Sequence, residues 1–347
     1  MVRDRPCRGG RTGKGATAMS PDFSVVICAY DERRWNVLSR AVQSVREQTL
    51  AAREVIVVVD HNDSLLARAR RHLRDVLVVP NGEMRGLRGA RNSGLRATSA
   101  AHVAFIDDDA HASERWLERL AEPYGDPDVA GVGGSTHPVW NGGRPGWLPH
   151  EFEWVVGGNH SVMALEGHEV RNLWGGNMSF RRELLMEIGG FRIGYSCDDT
   201  ELCIRLRQRW PGKRFVLVPD ARVMHHVDSS RMTVGRFLAR CYFEGGSKAV
   251  ISRLVGAREA LASERRYTSQ VLPSGVRGGI ADFVSGRDPK GLARASLIVG
   301  GLATTTAGYA VGHLMPTRTA RKRGWDGERV GPAAPGSAAD GSEGARG

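Results

Sequence analysis

Four short runs of aliphatic and β-branched residues punctuate the first third of the chain: Phe23–Ala29, Glu54–Asp60, Val76–Val79 and Val103–Ile106. Each is nearly continuous in apolar residues and short for a helix, which is the pattern of strands buried on both faces. Between them the period changes. Arg34–Gln48 sets Val37, Leu38, Ala41, Val42 and Val45 on one helical face, and Leu65–Leu73 and Gly89–Ala97 read as shorter helices. This alternation predicts an α/β fold built on an open, mostly parallel sheet flanked by helices. The second half is less regular. The pattern predicts a strand over Val129–Thr136, a loop rich in Gly, Pro and Trp over 140–158, and helices over Phe180–Ile188 and Thr200–Trp210. A strand follows over Phe215–Val218, then strand-like Ala221–His226, and from Arg236 the chain turns helical.

Ligands of such sheets bind beyond the carboxyl ends of the strands, and the acidic residues gather there. Tyr30-Asp31-Glu32 follows the first strand, Asp60-His61-Asn62-Asp63 the second and Asp107-Asp108-Asp109 the fourth. Three like charges beside a core strand repel one another unless a cation or an array of donors neutralises them. A divalent ion with oxygen ligands, itself carrying a phosphate-bearing substrate, is one answer; an acidic turn without a ligand is the other. The Gly-rich stretch Arg85–Asn92 precedes a helix, a place suited to phosphate, but it matches neither the P-loop nor the dinucleotide fingerprint. Trp174-Gly175-Gly176-Asn177 reads as a compact polar loop before a helix, either a plain turn or one in which Asn177 offers donor and acceptor groups to hydroxyls. In Cys197-Asp198-Asp199-Thr200-Glu201 either aspartate suits a general base; equally, Asp198 with Glu201 makes a capping-box pattern. His225 and His226 end a strand, where successive side chains face opposite ways, so only one can turn inward; that one suits a metal site with Asp109, and a structural or surface histidine is the other reading.

Length and charge bound the rest. The 347 residues suffice for one large α/β domain with appendages. The net charge of +11 is concentrated in the ends, 1–21 and 317–347, both expected to be disordered tails. With the excess held there and no stacking pattern of aromatics, nucleic acid is not an expected partner. Five cysteines without a C-x-x-C pair fit a reducing compartment, and no apolar leader follows the basic N-terminus, so a cytoplasmic protein is expected. The uncharged stretch Ala295–Gly312 approaches spanning length but is rich in Gly and Thr and is flanked by basic residues. It reads as a helix or hairpin in peripheral contact with the inner membrane face, with a core helix as the other reading.

Eight motifs stand in a familiar order: Ser24–Tyr30, Glu54–Asp60, Ala90–Gly94, Phe105–Asp109, Gly176–Arg182, Gly189–Phe191, Asp198–Leu202 and Ala221–His225. Together they resemble the family 2 glycosyltransferases, inverting enzymes of the GT-A fold that use nucleotide-sugars. The resemblance implies a catalytic domain over 22–248; the chain's own pattern then gives a helical region over 249–316, whose uncharged stretch and basic flanks suit membrane association. The resemblance also implies a nucleotide-sugar donor, with UDP as the default, and Mn2+ or Mg2+; the basic, weakly apolar C-terminal segment suits a glycan or lipid-linked acceptor, with a small soluble acceptor as the other reading. Ala29, Tyr30, Glu32, Asp60, Arg88, Arg91, Asp107 and Asp108 are then expected at the nucleotide, and Gly175, Gly176, Asn177 and Asp198 at the sugar. Asp109 and His225 are expected on the metal, and Asp199 as the base that deprotonates the acceptor. Two departures stand out. His61 occupies a place where the family often has a second acid, with Asp63 the nearest substitute, and position 198 is Asp where Glu is usual. The Gln-x-x-Arg-Trp signature of processive members is missing, which favours single addition. A nucleotidyltransferase is disfavoured because Tyr30-Asp31-Glu32, not a basic Gly-rich loop, follows the first strand. A sugar-nucleotide-binding module without activity is disfavoured because Asp107, Asp109, Asp199 and His225 occur together.

Overall fold

The buried runs form one half of a nine-stranded sheet in the computed structural model, which describes residues 22–159, 169–192, 197–229, 232–256 and 267–314. Strands β1 (Phe23–Ala29), β2 (Glu54–Val59), β3 (Leu77–Pro80) and β4 (His102–Asp107) lie parallel in the order β3-β2-β1-β4. Their side chains alternate between two cores. Val25, Ile27, Val57 and Val59 pack against helices α1 (Trp35–Arg46) and α2 (Asp63–His72), whereas Val26, Ile56, Val58 and Phe105 pack on the side of α3 (Leu87–Ala97). Both faces are therefore covered, which is why these strands show no polar alternation. Ala29 pairs with Val59 and Cys28 with Asp107, so the strand ends open on one edge.

The sheet continues with a change of direction. Strand β8 (Asn177–Arg181) runs antiparallel to β4, and beyond it come β6 (Val129–Asn141), β9 (Arg214–Asp228) and the short β5 (Ala110–Ala112), with the two-residue β7 (Glu169–Val170) also paired to β9. The helix expected over Phe180–Ile188 is thus corrected: α5 covers Arg182–Glu187 only, and Phe180 lies in a strand. Phe180, Leu184 and Ile188 stand four apart, a helical spacing that hides the strand, yet Phe180 is fully buried against Phe215. The loop at 174–177 accordingly leads into β8, not into a helix. Likewise β9 is one strand, kept continuous by a bulge at Pro219–Ala221 that lets Val218 and Arg222 pair with adjacent residues of β6. Short α4 (Trp116–Ala121) and longer α6 (Asp198–Arg209) cover the remaining sheet faces.

Three helices complete the described chain: α7 (Val234–Val255), α8 (Leu272–Val284) and α9 (Gly291–Leu314). Residue 248, the expected domain end, falls inside α7, which runs on unbroken. Backbones of α7 and α9 touch. A Cβ on Gly308 would lie 2.1 Å from the carbonyl oxygen of Tyr242, so only glycine permits this crossing. Phe152, in a tight helical turn at His150–Val156 within the expected loop, joins this layer with Phe237 and Ile298. Helix α9 is long and apolar enough to cross a membrane by length and composition, with mean hydropathy 1.2 over its best window. It also buries Gly291, Ala295, Ile298, Gly301, Gly308 and Gly312. The tails expected at 1–21 and 317–347 lie outside the described residues.

Candidate active site

The acidic strand end is assembled by β5, an element too short to announce itself in the sequence. Leaving β4 at Asp107, the chain turns through Asp108 and Asp109 and pairs Ala110 with His225 of β9. The His226 amide donates to the Asp109 carbonyl at 2.8 Å. This pairing carries His225 across the sheet to the carboxylates, with its Nε2 3.1 Å from Asp109 Oδ1. Strand alternation turns His226 the other way, where it meets the His111 ring at 5.0 Å between centroids. One histidine faces the acids, as expected.

Asp107, Asp109 and His225 each offer a ligand atom, and these atoms all lie within 4.8 Å of one another. Their electrostatics show what they lack. Burial, opposed by Arg91 and reinforced by the charge of Asp109, raises the Asp107 carboxyl above its ordinary range. Burial likewise pushes Asp108 up to about 7, against the pull of Arg34. Asp109 is also buried, but its hydrogen bond and charge interaction with His225, together with Arg34, hold its carboxyl low. Burial works against His225 too, yet Asp109 raises its affinity for a proton. Its Nδ1 is buried without a hydrogen-bond partner among the described residues. Two carboxylates and an imidazole in such a field fit a divalent cation, whose charge replaces the protons these groups otherwise attract.

The two inner aspartates, alike in the sequence, separate in the structure. Asp107 belongs with the candidate metal ligands, whereas Asp108 is only 4% exposed and is turned into the protein against Arg34 Nη1 at 3.0 Å. Arg34 also pairs with Asp109. Sequence reasoning missed Arg34; the signal was present, since a run of buried acids demands a nearby fixed cation and Arg33-Arg34 follows β1 closely.

Arg91 joins the acidic strand end to the second acidic run. It is 3% exposed, donates to Asp198 Oδ2 and to the Gly175 carbonyl, both at 2.8 Å, and lies 3.8 Å from Asp107 Oδ1. The capping-box reading of 198–201 is corrected: α6 has no side-chain N-cap, and Glu201 pairs with Arg205 at 2.9 Å. Asp199 accepts from the Gly175 amide at 2.9 Å and from its neighbour Thr200 at 2.6 Å. Burial and then the adjacent Asp198 raise its carboxyl above the ordinary range. The Gly175-Gly176 loop lies over Asp107; a Cβ on Gly176 would come within 2.7 Å of Asp107 Oδ2. One expectation is corrected outright. The Asn177 side chain is fully buried, accepts from Trp116 Nε1 at 2.8 Å and donates to the carbonyls of Ser135 and Ala221, both at 2.9 Å. Both amide hydrogens are engaged inside the sheet, so Asn177 anchors the loop and leaves none for a sugar hydroxyl.

Of the other residues expected at the nucleotide, Ala29, Tyr30 and Asp60 lie at the ends of β1 and β2, Glu32 in the turn after β1 and Arg88 in the first turn of α3. The Asp60 carboxylate accepts from Asn81 Nδ2 at 2.6 Å and from the Gly86 amide at 2.8 Å, and the Asp60 amide donates to the Ala29 carbonyl at 2.8 Å. Tyr30 is 55% exposed beneath the Arg34 guanidinium, an open ring at the edge. Glu32 faces α2, accepting from Ser64 at 2.8 Å. Arg88 is half-buried, its Nε without a partner among the described residues. His61 takes a left-handed backbone (φ 49°) and holds the Glu83 carbonyl at 2.8 Å, while Asp63 sits exposed in the first turn of α2.

A parallel half-sheet, an acidic strand end and a returning unit that brings a histidine to it define a GT-A glycosyltransferase. The sequence model described as Glycosyl transferase family 2 matches residues 24–189. Over 308 residues the chain is 32% identical to the glucosyl-dolichyl phosphate glucuronosyltransferase of Haloferax volcanii, spanning 84% of this chain and 96% of that protein. It is also 30% identical over 187 residues to a pre-mycofactocin glycosyltransferase of Mycobacterium tuberculosis, 51% of this chain but 37% of that one. In three dimensions it is similar to a mannosyltransferase of Pyrobaculum calidifontis solved with GDP-Man and Mn2+. That match has a TM-score of 0.53 at 20% identity and covers 86% of this chain and 88% of the other. The chain belongs to glycosyltransferase family 2.

Proposed function

We propose that the protein is an inverting, metal-dependent glycosyltransferase that moves one sugar from a nucleoside-diphosphate donor to a hydroxyl of a lipid-phosphate-linked sugar. The observation that carries this reading is Arg91, which holds the Asp107 end of the acidic cluster and the Asp198-Asp199 run against one loop. Asp107, Asp109 and His225 hold Mn2+ or Mg2+, which when bound offsets the negative charge that develops on the leaving diphosphate. Asp60, Ala29 and Tyr30 form the nucleoside edge, with Arg88 beside it. Gly175, Gly176 and Asp198 border the transferred sugar, and Arg91 keeps Asp198 in place. The Asp199 carboxylate takes the acceptor hydroxyl proton as that oxygen attacks the anomeric carbon. The bond to the diphosphate breaks on the opposite face, its electrons leave with the nucleoside diphosphate, and the anomeric centre inverts.

The acceptor class follows from the Haloferax relative, whose name places its reaction on a glucosylated dolichyl phosphate and which matches the chain over nearly its whole length. The C-terminal layer supports a membrane-surface setting. Ile280, Phe283 and Val284 of α8 and Leu292 and Val299 of α9 are exposed, with Arg287 and Lys290 between the two helices. Purified full-length protein with a panel of nucleotide-sugars, Mn2+ and a glycosylated prenyl phosphate is expected to yield one added sugar of inverted configuration by NMR. Retention of configuration, or no transfer from any donor, would refute the reading. The same protein is expected to sediment with anionic vesicles, and Phe283→Glu/Val284→Glu to weaken this about tenfold or more; equal sedimentation of both would remove the membrane-surface element.

A further inference from the structure

A cavity of about 410 Å3 adjoins the acidic cluster on its His225 side. It shares Asp109 and His225 with the cluster, but Asp107, Arg91, Gly175 and Asp199 do not line it. It is therefore a second compartment, which meets the cluster at Asp109 and His225 and is not lined by the loop at 174–177.

Its charge is one-sided. Arg33, Arg34, Arg236 and Arg240 line it, against the acids Asp109 and Asp228. Asp109 is already paired with His225 and Arg34, and Asp228 has a partner of its own. Arg236 and Arg240 differ from the other two arginines. They stand four apart on α7 and so share one face, both are half-buried, and neither has an ion-pair partner among the described residues. Two such cations on one cavity wall call for an anion that enters from outside. The same cavity is apolar elsewhere, at Val37, Val156, Val227 and Met232. An anion with a hydrocarbon continuation satisfies both walls; a free inorganic anion satisfies one.

We infer that this cavity seats the phosphate linkage of a lipid-borne acceptor, with Arg236 and Arg240 as its donors and Val37, Val156, Val227 and Met232 against the first carbons of the lipid. The inference rests on the glycosyl-transfer reading above and adds the residues that select a phosphate-linked acceptor. The acceptor sugar then lies between the cavity and Asp199. Helix α7 leads from the cavity into the C-terminal layer, so the lipid chain leaves toward the exposed apolar surface of α8 and α9. A nucleoside-diphosphate donor offers phosphates too, and the test separates the two sources.

The full-length protein and the Arg236→Gln/Arg240→Gln double variant are assayed with two acceptors carrying the same sugar, one on a short prenyl phosphate and one on an uncharged alkyl chain. Donor KM is measured in parallel. Wild type is expected to prefer the phosphate acceptor in kcat/KM. The double variant is expected to reduce that preference about tenfold or more, through KM, with donor KM within about twofold. An equal loss on both acceptors would mean a structural role and overturn the inference. A raised donor KM would assign the cavity to the donor diphosphate and overturn it as well, as would an undiminished preference. If wild type transferred equally to both acceptors this inference alone would fall; if wild type used no donor, the glycosyl-transfer reading would fall and take it along.

Discussion

Asp199→Asn lowers kcat by about 10²–10⁴-fold while donor KM stays nearly constant, the loss expected when a positioned base is replaced by an isosteric group that cannot take a proton. The structure fixes both oxygens of Asp199, one on the Gly175 amide and one on the Thr200 amide. Asparagine fills the same space and retains one of these bonds, so the loop over Asp107 stays in place. What disappears is proton affinity. Burial and the neighbouring Asp198 carboxylate give Asp199 more of it than an exposed aspartate has, which suits a base that must accept a hydroxyl proton late in the attack. Steady-state kinetics with varied donor and acceptor decide the matter. A kcat within about threefold of wild type would remove Asp199 from the role.

Arg91→Met destabilises the fold by about 3–5 kcal/mol, the typical cost of removing one partner of a buried ion pair. Arg91 has 4% of its side chain exposed and Asp198 12%, so methionine leaves a carboxylate without its cation inside the protein. It also releases the Gly175 carbonyl and the charge next to Asp107. If the cost lies in the stranded charge, Arg91→Met/Asp198→Asn recovers a large part of the loss in urea unfolding without restoring transfer. If it lies only in packing, the second substitution recovers nothing. Equal stability of Arg91→Met and wild type would show that Arg91 is not the link between the two acidic runs.

The strands that carry the site were legible because they are buried on both faces, and burial on both faces writes itself into the chain as a short, unbroken apolar run. The acids at their ends could be placed as well, since a parallel sheet gathers its strand termini on one edge. Other parts depended on long-range pairing that no local pattern records. The three-residue β5 brings His225 beside Asp109, yet Ala110-His111-Ala112 shows no strand signal by itself. Phe180 carried a misleading helical spacing, and only its burial between β4 and β6 makes it a strand residue. Asn177 looked like a sugar contact because a polar residue after two glycines suits a binding loop; the sheet claims it through Trp116, a residue far away in sequence. Asp107 and Asp108 are chemically identical neighbours, and only the turn into β5 sends one to the ligand cluster and the other to Arg34.

The proposed chemistry stands or falls with Asp107, Asp109 and His225 as the holders of the cation that anchors the donor diphosphate. Calorimetric titration of a panel of nucleoside diphosphates, with and without Mn2+, into wild type and into Asp109→Asn probes this without recourse to turnover. At least one nucleotide is expected to bind wild type only with Mn2+ present, to be released by EDTA, and to lose most of its metal-dependent affinity in Asp109→Asn. Nucleotide binding of equal strength with and without Mn2+, or an Asp109→Asn variant with unchanged metal-dependent affinity, would refute the assignment.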